Sequence, residues 1–354
     1  MPDVLKKVLV TGGAGYVGSH AVLALLEAGR EVVVVDDFSN SSPEALDRVG
    51  ELAGREAKLR EGDSGDAAFL RSVFAEEPGV EAVLHFAAFK AVGESTENPL
   101  GYYRNNVAGS IALFEAMKEA KVRNFVFSSS CTVYGEPEEV PLTEQSPVGG
   151  VSSPYGRTKY FMEEIARDLC FAGDLRNVAI LRYFNPVGAH PSGRIGEDPL
   201  GAPENLVPVV CHVASRRMEK LRVFGSDYPT RDGTAVRDYL HVVDLSEAHL
   251  LALDKLAENP GFFTCNLGTG RGSTVLEVVE AFEEVTGEKV PRELVERRPG
   301  DVVEAWADPA FAKEFLGWRT RHDLPKMLAD AWCWQTQNPR GYRGASDSGG
   351  SACS

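Results

Sequence analysis

Residues 7–18 read KVLVTGGAGYVG, an apolar run followed by three glycines spaced three residues apart, Gly12, Gly15 and Gly18. The apolar run, Lys7–Thr11, predicts a short strand, and the amphipathic pattern of Ser19–Ala28 predicts a helix directly after the glycines. Glycines at this spacing permit a tight turn, a close approach of the backbone to a pyrophosphate, and close packing of helix on strand. Because a strand and a helix flank the glycines, the stretch predicts a dinucleotide-binding site.

The next predicted strand, Glu31–Val35, ends in an acid, Asp36, which lies 18 residues after Gly18. In dinucleotide-binding folds an acid at this place binds the adenosine ribose, and it favours NAD over a cofactor with a 2′-phosphate. A solvated strand end is the alternative interpretation of Asp36.

Strands and helices alternate through the first half of the chain. A helical pattern covers Tyr102–Ala120, and further strands are predicted at Ala57–Leu59, at Ala82–Phe86, from Asn124, and at Val178–Tyr183. This alternation predicts an α/β fold with a Rossmann-type, doubly wound parallel sheet over residues 1–185.

Beyond residue 185 the sequence becomes rich in proline and glycine. This change predicts a smaller, loop-rich C-terminal lobe that binds the substrate, over residues 186–340. Segments within about 236–270 are expected to return to the first domain. The Gly/Ser/Ala-rich residues 341–354 predict a disordered tail.

The composition restricts the partners and the compartment. A formal net charge of −15 over 354 residues argues against nucleic acid and against an anionic membrane surface as partners. The six cysteines show no paired spacing and are expected to be reduced thiols. No metal site is predicted. Since the N-terminus lacks the apolar region of a signal peptide and no apolar run is long enough to span a membrane, the expected location is the cytosol.

A second stretch, from Ser128 to Lys159, carries the candidate catalytic residues. It begins SSSCTVYG directly after the apolar residues Phe125–Phe127, which places Ser130 at the carboxyl end of a strand. Tyr155 and Lys159 are four residues apart at the start of a helical pattern, so they share one helix face. A lysine charge about 4–5 Å away should lower the pKa of a tyrosine from about 10 toward about 7, which would make Tyr155 a base.

In this interpretation Ser130 hydrogen-bonds the substrate hydroxyl and passes its proton to Tyr155. A Tyr-x-x-x-Lys spacing alone is typical of ordinary helix surfaces, and only the preceding dinucleotide site favours the catalytic interpretation.

Other polar residues follow the strand ends. Asp63 and Ser64 could reach the adenine, and Lys90, which follows the small residue Ala87 by three positions, could meet the cofactor phosphates. Asn106 is either a structural hydrogen-bond partner or a contact near the nicotinamide. Arginines in the C-terminal lobe are candidates for binding an anionic ligand, although a surface ion pair is the commoner role for any one of them.

The motifs jointly resemble those of the extended short-chain dehydrogenase/reductase family, over roughly Lys7 to Gly341. Within that family they are most similar to the motifs of the members that invert carbon 4 of a UDP-linked hexose. The motifs are TGGAGYVGSH, HFAAFKAVGES, SSSCTVYG, SPYGRTK, LRYFNPVGAH, NLVP, VRDYLHVVD and RRPGD.

The resemblance implies NAD as the cofactor and a UDP-sugar as the substrate. The catalytic set that it implies is Ser130, Tyr155 and Lys159. The positions that match the family's NAD contacts are Gly12, Gly15, Tyr16, Val17, Gly18, Asp36, Asp37, Asp63, Ser64, Phe86, Ala87, Lys90, Asn106, Ser130, Tyr155, Lys159 and Phe184. The positions that match its substrate contacts are Lys90, Ser130, Cys131, Thr132, Tyr155, Asn185, Asn205, Leu206, Val223, Phe224, Arg237, Arg298, Asp301 and Ala305. Two of these, Arg237 and Arg298, are expected near the diphosphate, and for Cys131 a small buried space-filler is the favoured alternative.

The mechanism that the resemblance implies is redox-neutral. Tyr155 takes the proton from the 4-hydroxyl of the sugar, helped by Ser130, while the nicotinamide takes hydride from carbon 4. The resulting 4-keto sugar turns about its linkage to the diphosphate and receives the hydride on its opposite face. The resemblance also implies a cytosolic homodimer that retains NAD and acts in galactose metabolism.

One position predicts the sugar range. Ala305 lies four residues after Asp301, where this family lines the hexose pocket with either a bulky residue such as tyrosine or a small one. A small residue is associated with room for a 2-acetamido group. UDP-GlcNAc and UDP-GalNAc are therefore predicted as additional substrates.

Three rival functions remain. A nucleotide-sugar 4,6-dehydratase is disfavoured, because such enzymes carry an Asp-Glu pair where this chain has Cys131-Thr132. A UDP-pentose 4-epimerase, acting on UDP-xylose and UDP-arabinose, would use the same machinery. A non-catalytic sensor of NAD or nucleotide sugars is expected to lack one of the three catalytic residues, and all three are present here.

Overall fold

The computed structural model describes residues 4–298 and 300–343. Within these ranges the strands are β1 (Lys7–Thr11), β2 (Glu31–Asp36), β3 (Lys58–Glu61), β4 (Ala82–His85), β5 (Asn124–Ser130), β6 (Asn177–Tyr183), β7 (Asn185–Val187), β8 (Leu221–Phe224), β9 (Val236–His241), β10 (Phe262–Leu267), β11 (Gly272–Thr274), β12 (Arg292–Val295) and β13 (Glu304–Ala305). The α-helices are α1 (Tyr16–Glu27), α2 (Pro43–Ala53), α3 (Ala67–Glu76), α4 (Val92–Glu97), α5 (Pro99–Tyr102), α6 (Gly109–Ala120), α7 (Pro154–Ala172), α8 (Leu206–Ala214), α9 (Val242–Leu256), α10 (Val275–Thr286), α11 (Ala310–Leu316) and α12 (Leu324–Gln337). A π-helical turn covers Tyr103–Ala108 and a 3-10 turn covers Cys131–Tyr134.

The main sheet has seven parallel strands in the order β3-β2-β1-β4-β5-β6-β10. Its central strands are apolar along their length, as expected of strands covered by helices on both faces. Alternate residues of β1 enter different cores: Val8 and Val10 pack in one cluster and Leu9 in the other. The predicted fold class, a doubly wound α/β fold, is confirmed.

The strand order reverses between β1 and β4, so the chain leaves the carboxyl ends of these neighbouring strands in opposite directions. In open α/β sheets this is where the crevice for a ligand forms. The glycine loop after β1 and the segment after β4 both lie at this point.

The remaining strands form two smaller sheets. In one, β9 pairs with β7, β11 and β13, and in the other β8 pairs with β12. Helices α8, α10 and α12 supply their apolar core, which contains Val207, Val279, Phe282 and Leu328. Of the segments expected to return to the first domain, α9 packs on α1 and β10 joins the main sheet, whereas β9 stays with the smaller sheet.

Several boundaries differ from the sequence prediction. Helix α1 begins at Tyr16, three residues before the predicted start, because Gly15 already serves as its N-cap. The single helix predicted over Tyr102–Ala120 is interrupted by the π-helical turn. The predicted disordered tail began at residue 341, but Tyr342 is buried against Trp334, with ring centroids 4.8 Å apart. The rest of that tail, 344–354, lies outside the described residues.

Three observations concern the predicted absences. Across residues 4–298 and 300–343, no helix is both long and apolar enough to cross a membrane. In the same ranges, no group of three or more His, Cys, Asp or Glu side chains is placed to hold a metal ion. None of the five described cysteines forms a disulfide.

Candidate active site

The glycine loop between β1 and α1 has room for backbone only. Gly12 has φ +71°, and a Cβ there would lie 2.7 Å from the backbone nitrogen of Ala87. A Cβ on Gly18 would lie 2.0 Å from the carbonyl oxygen of Gly12. No side chain caps the N-terminus of α1, so the N–H groups of its first turn remain available to an anion. This cradle fits the pyrophosphate of a dinucleotide.

Asp36 lies beside this cradle at the end of β2. One carboxylate oxygen accepts from the backbone N–H of Ala14 at 2.9 Å, and the other accepts from the Ser41 hydroxyl at 2.7 Å. A carboxylate has about four acceptor sites, so these bonds orient Asp36 and leave capacity for a ribose hydroxyl. Asp36 is 7% exposed, so it is not a solvated strand end, and its binding of the ribose stays a prediction.

The segment after β4 is held against β1. The backbone N–H groups of Phe86 and Ala87 both donate to the carbonyl of Thr11, at 3.0 and 3.1 Å. Lys90, further along the same segment, donates to Glu197 at 2.8 Å. These bonds hold the backbone of Phe86 and Ala87 directly beside the glycine loop.

Asn106 forms several hydrogen bonds within the protein. Its amide accepts from the backbone N–H of Phe89 at 2.8 Å and donates to the Phe89 carbonyl and the Thr158 hydroxyl, both at 3.0 Å. These contacts favour the first of the two roles considered for Asn106, a structural hydrogen-bond partner.

The remaining cofactor positions are half-buried or exposed, and they lie in loops or in the first turn of α1. Asp37 accepts from the backbone and hydroxyl of Ser39, and Asp63 accepts from the backbone N–H of Gly65 at 2.7 Å. Ser64 lies next to Asp63 in the same turn. Tyr16 at the start of α1 donates from its hydroxyl to the Gly188 carbonyl at 2.7 Å, and Val17 follows it.

The catalytic candidates converge where β5 ends and α7 begins. Ser130 is the last residue of β5, and its hydroxyl accepts from the backbone N–H of Thr132 at 3.3 Å. The Ser153 hydroxyl caps α7, whose first residue is Pro154, and this start places Tyr155 in the first turn.

Lys159 is 4% exposed and donates from Nζ to the carbonyl of Ser128 at 2.7 Å. Its Nζ lies 5.9 Å from the centroid of the Tyr155 ring and 4.9 Å from that of Phe127. Burial lowers the pKa of Lys159 to about 7, although the Glu163 carboxylate opposes this shift.

The predicted lowering of the Tyr155 pKa is wrong for the protein by itself. Burial raises the pKa of Tyr155 well above its usual value, and the neighbouring Tyr183 adds to this, while a hydrogen bond with Ser130 opposes it. The prediction assumed a fully charged lysine beside the phenol. In the structure the Lys159 amine donates to a backbone carbonyl, and its lowered pKa leaves it partly neutral near pH 7.

The smaller sheet brings the substrate candidates to this cleft. On β9 and β13, Arg237 and Ala305 are paired across the strands. Ala305 is buried in an apolar cluster with Phe184 and Val133, against which Cys131 packs. Ala305 thus belongs to the cluster that contacts Cys131, the residue directly after Ser130.

Cys131 and Thr132 follow Ser130 in the 3-10 turn. Burial raises the pKa of the Cys131 thiol to about 12, against the opposing charge of Arg237, so the thiol is neutral and packs as a small apolar group. The Thr132 hydroxyl is buried and has no hydrogen-bond partner among the described residues. A buried hydroxyl without a partner costs about 1–3 kcal/mol, which suits a group that bonds to substrate.

On the side of the cleft where the nucleotide is predicted to bind, the charged side chains are exposed. The guanidinium of Arg298 stacks on the Phe224 ring at 3.8 Å, and both Arg298 and Asp301 are exposed. Val223 is an exception, since its side chain is buried in the core of the smaller lobe and only its backbone can face the cleft. Three further positions surround this side: Asn185 begins β7, Asn205 donates to Glu197 at 3.0 Å, and Leu206 begins α8.

Comparisons with known proteins agree with this geometry. The sequence profile of the NAD dependent epimerase/dehydratase family matches residues 8–268. The chain belongs to this family.

Members of the family match almost the entire chain. The UDP-glucose 4-epimerase of Bacillus subtilis is 55% identical over 338 residues, which are 96% of this chain and 99% of the relative. A crystal structure of UDP-glucose 4-epimerase from Bifidobacterium longum, in complex with NAD+ and UDP, superposes with a TM-score of 0.92 at 46% identity, covering 95% of this chain and 100% of that chain. A UDP-glucose 4-epimerase from Stenotrophomonas maltophila, with bound NAD and formylated UDP-arabinopyranose, has a TM-score of 0.91 at 47% identity, covering 95% of this chain and 99% of that chain. The predicted resemblance, the NAD cofactor and the assignment as an isomerase are thereby confirmed.

Three polar residues around the candidate site were not predicted from the sequence. Glu197 accepts from both Lys90 and Asn205 and so bridges the two sides. Tyr228 is 5% exposed, and its hydroxyl has no partner among the described residues. Glu163 forms a buried ion pair one helical turn beyond Lys159. Only Glu163 had a sequence signal, its four-residue spacing from Lys159.

Proposed function

We propose that the protein is a UDP-glucose 4-epimerase that interconverts UDP-galactose and UDP-glucose through a transient 4-keto sugar and tightly bound NAD. The observation that carries the proposal is the convergence of Ser130, Tyr155 and Lys159 beside a glycine loop that accommodates only backbone. The resemblance to curated UDP-glucose 4-epimerases over nearly the full length supports the choice of substrate.

The glycine loop, Asp36 and the backbone after β4 fit the cofactor, and Lys90 would lie along it. When bound, NAD supplies a reversible hydride acceptor. The protein's own part is to exclude water from the reacting centre and to hold the groups that move the proton.

The proton at the 4-hydroxyl is handled by Tyr155 and Ser130. The phenol of Tyr155 is a strong enough base only as a phenolate, and burial alone disfavours that form. A charged Lys159 in the same dry site lowers the cost of the phenolate, because an opposite charge counts for more in a low dielectric than in water. Ser130, which hydrogen-bonds with Tyr155, provides the path by which the proton leaves the sugar.

The substrate-binding side would hold UDP firmly and the hexose loosely. Arg237 and Arg298 are suited to the diphosphate, since a guanidinium binds phosphate oxygens with two parallel hydrogen bonds. Around the sugar the neighbours are small or apolar, with Ala305 and Cys131 packed in one cluster. A loosely held ring is free to turn over between the two hydride transfers.

The direct test supplies UDP-galactose to the purified protein without added NAD and follows UDP-glucose by a coupled assay. Turnover without added NAD is the expected result, and it requires a retained cofactor. The absence of turnover even after NAD is added would contradict the proposal and favour a UDP-pentose substrate or a sensor of NAD or nucleotide sugars. The Tyr155→Phe variant, prepared in the same way, controls for contaminating epimerase.

We further propose that UDP-GlcNAc and UDP-GalNAc are interconverted. The proposal is supported by the small size of Ala305, which is buried near Phe184 and Cys131 at the apolar side of the cleft. Ala305→Tyr should abolish turnover of the N-acetylated sugars while leaving UDP-galactose turnover within a few-fold of the wild type. If the variant keeps its activity on UDP-GalNAc, Ala305 does not set the sugar range.

A UDP-pentose 4-epimerase is the second candidate, because the S. maltophila relative was crystallised with a UDP-arabinopyranose derivative. The two functions are separated by comparing kcat/KM for UDP-galactose and UDP-arabinopyranose on the same preparation. We expect the hexose to be preferred. A preference for the pentose would replace the proposed physiological substrate without changing the mechanism.

We also infer that the chain forms a homodimer through α6 and α7. Ile111 and Phe161 leave apolar surface exposed on these two helices, and Tyr103 stacks beside Phe161 at 6.2 Å. Sedimentation of the wild type should give twice the chain mass. The Ile111→Asp/Phe161→Asp variant should sediment as a monomer, and an unchanged mass would place the contact elsewhere.

A further inference from the structure

Below the catalytic residues lies a buried ion pair that the proposed mechanism does not use. Glu163 on α7 and Arg182 on β6 are almost completely buried, and Nε of Arg182 donates to the two Glu163 oxygens at 2.9 and 3.2 Å. Exchanging a buried ion pair for apolar residues is often neutral or stabilising, so stability alone does not explain this one.

The ion pair contacts the two elements that carry the proposed catalytic residues. Glu163 is four residues after Lys159 and lies on the same face of α7. One of its carboxylate oxygens also accepts from the hydroxyl of Ser129, the residue before Ser130. Glu163 therefore connects α7, the helix that carries Tyr155, to the end of β5, which carries Ser130.

Arg182 extends the network into the main sheet. It donates to the hydroxyl of Tyr134 at 3.0 Å, and this hydroxyl donates to Asn266 at 2.6 Å. The Asn266 amide in turn donates to the carbonyl of Leu142 at 2.9 Å. With every member hydrogen-bonded, the network fixes Glu163 in one position.

Among the described residues, Glu163 is the carboxylate that supports the charged form of Lys159. Tyr155 precedes it on α7, and Tyr183 lies on β6; burial keeps both phenols protonated at neutral pH. His85 on β4 is buried between Thr11 and Ser110, and burial lowers its pKa to about 3. Arg182 carries a positive charge and is the ion-pair partner of Glu163.

We propose that Glu163, with Arg182 as its counter-charge, is a positioning residue for the reaction: it keeps Lys159 charged and fixes the strand end that presents Ser130. The inference rests on the proposed function. Since a buried lysine is readily neutralised, a fixed carboxylate one turn away extends the pH range over which Lys159 can support the Tyr155 phenolate.

The test compares the pH dependence of kcat in wild type, Glu163→Gln and Glu164→Gln. Lys159 is charged below its pKa, so activity that depends on this charge is lost as the pH rises through that pKa. Glu163→Gln removes the stabilising charge and leaves Arg182 uncompensated, so the alkaline limb should move to lower pH by about one unit. Glu164 is the next residue on α7 but is exposed and paired with Arg167, and its variant should leave the limb in place.

A readout independent of turnover separates this inference from the proposed function. Lysine labelled with ¹³C at Cε reports the titration of Lys159 by NMR, and the signal is assigned with Lys159→Arg. The titration midpoint should fall in Glu163→Gln and stay in Glu164→Gln. An unmoved midpoint in a folded Glu163→Gln protein overturns the inference, whereas a wild type that titrates as expected but does not epimerise overturns only the proposed function.

Two further variants allow for failure to fold. If Glu163→Gln is unstable because Arg182 is left unpaired, the double variant Glu163→Gln/Arg182→Gln removes both charges, and its midpoint should still lie below that of the wild type. Glu163→Asp keeps the negative charge, so the titration midpoint of Lys159 in this variant should lie close to that of the wild type. A double variant that titrates like the wild type would show that the ion pair has only a structural role.

Discussion

On the Rossmann side of the cleft, Tyr155 and Lys159 are buried, and the network of Glu163 and Arg182 lies beneath them. On the opposite side, Arg298 and Asp301 are exposed, and Arg298 is held mainly by stacking on Phe224. The first side is fixed before any ligand arrives, whereas the second has charged side chains that a ligand must order. Proton transfer depends on placement within a fraction of an ångström, but holding an anion depends mainly on charge.

This contrast predicts that substitutions on the two sides will act on different kinetic constants. Changes on the Rossmann side should lower kcat, because they disturb groups whose interactions strengthen in the transition state. Changes on the nucleotide side should raise KM, because the diphosphate is held equally in the ground state and in the transition state.

Tyr155→Phe should have the largest effect. The substitution keeps the ring that fills the buried site and removes only the hydroxyl proposed to take the proton from the sugar. General base catalysis contributes about 10²- to 10⁴-fold, so kcat for UDP-galactose should fall by about 10³-fold while the affinity for UDP stays within two-fold. A kcat within ten-fold of the wild type would show that another group takes the proton.

Arg298→Ala should have an intermediate effect and should appear in the other constant. A charge-assisted hydrogen bond to phosphate contributes about 1.5–3 kcal/mol, so KM and the Kd of UDP should rise by about 10- to 100-fold with little change in kcat. The matched control is Arg297→Ala, because Arg297 is the neighbouring exposed arginine but pairs with Asp227 at 2.7 Å. Equal effects of the two variants would mean that the position of Arg298 has no special role.

The sequence was most informative where local pattern determines structure. The glycine loop, the strand before it and Asp36 lie within 30 residues of one another in the chain (7–36), and the structure places them together as predicted. Their arrangement depends on backbone clearance and on parallel pairing of neighbouring strands, which spacing and apolar runs reveal directly.

The sequence was least informative where the outcome depends on distant contacts. β9 lies in the segment that the sequence predicts to return to the first domain, but its partners are β7, β11 and β13, from distant parts of the chain. The Tyr155 pKa was predicted from one neighbour on the same helix, and burial by the rest of the fold reversed its direction. Tyr228 resembled an ordinary loop residue, since nothing in its local sequence shows that its hydroxyl is buried without a partner.

Tyr228→Phe should give the smallest effect and the sharpest test of the nucleotide side. The ring of Tyr228 packs on Gly225, where a Cβ would lie 2.2 Å from it, and the Arg297 guanidinium stacks at 4.0 Å from its centroid. Its buried hydroxyl has no partner among the described residues. Burial and the Asp301 carboxylate raise the pKa of this phenol, and the charges of Arg297 and Arg237 oppose the shift. We predict that this hydroxyl bonds to the bound nucleotide.

Removing the hydroxyl should affect the free protein and the UDP complex in opposite directions. A buried hydroxyl without a partner destabilises the free protein, whereas a hydrogen-bonded hydroxyl stabilises the complex. Tyr228→Phe should therefore unfold at the same or a higher temperature than the wild type when no UDP is present. With UDP, it should gain less thermal stability, and its Kd for UDP should be about five-fold weaker, as expected for one neutral hydrogen bond of about 1 kcal/mol. A lower unfolding temperature without UDP would instead show that the Tyr228 hydroxyl has a structural role. An unchanged Kd for UDP would place Tyr228 outside the nucleotide site, and nucleotide binding on the exposed side of the cleft would then depend on its arginines alone.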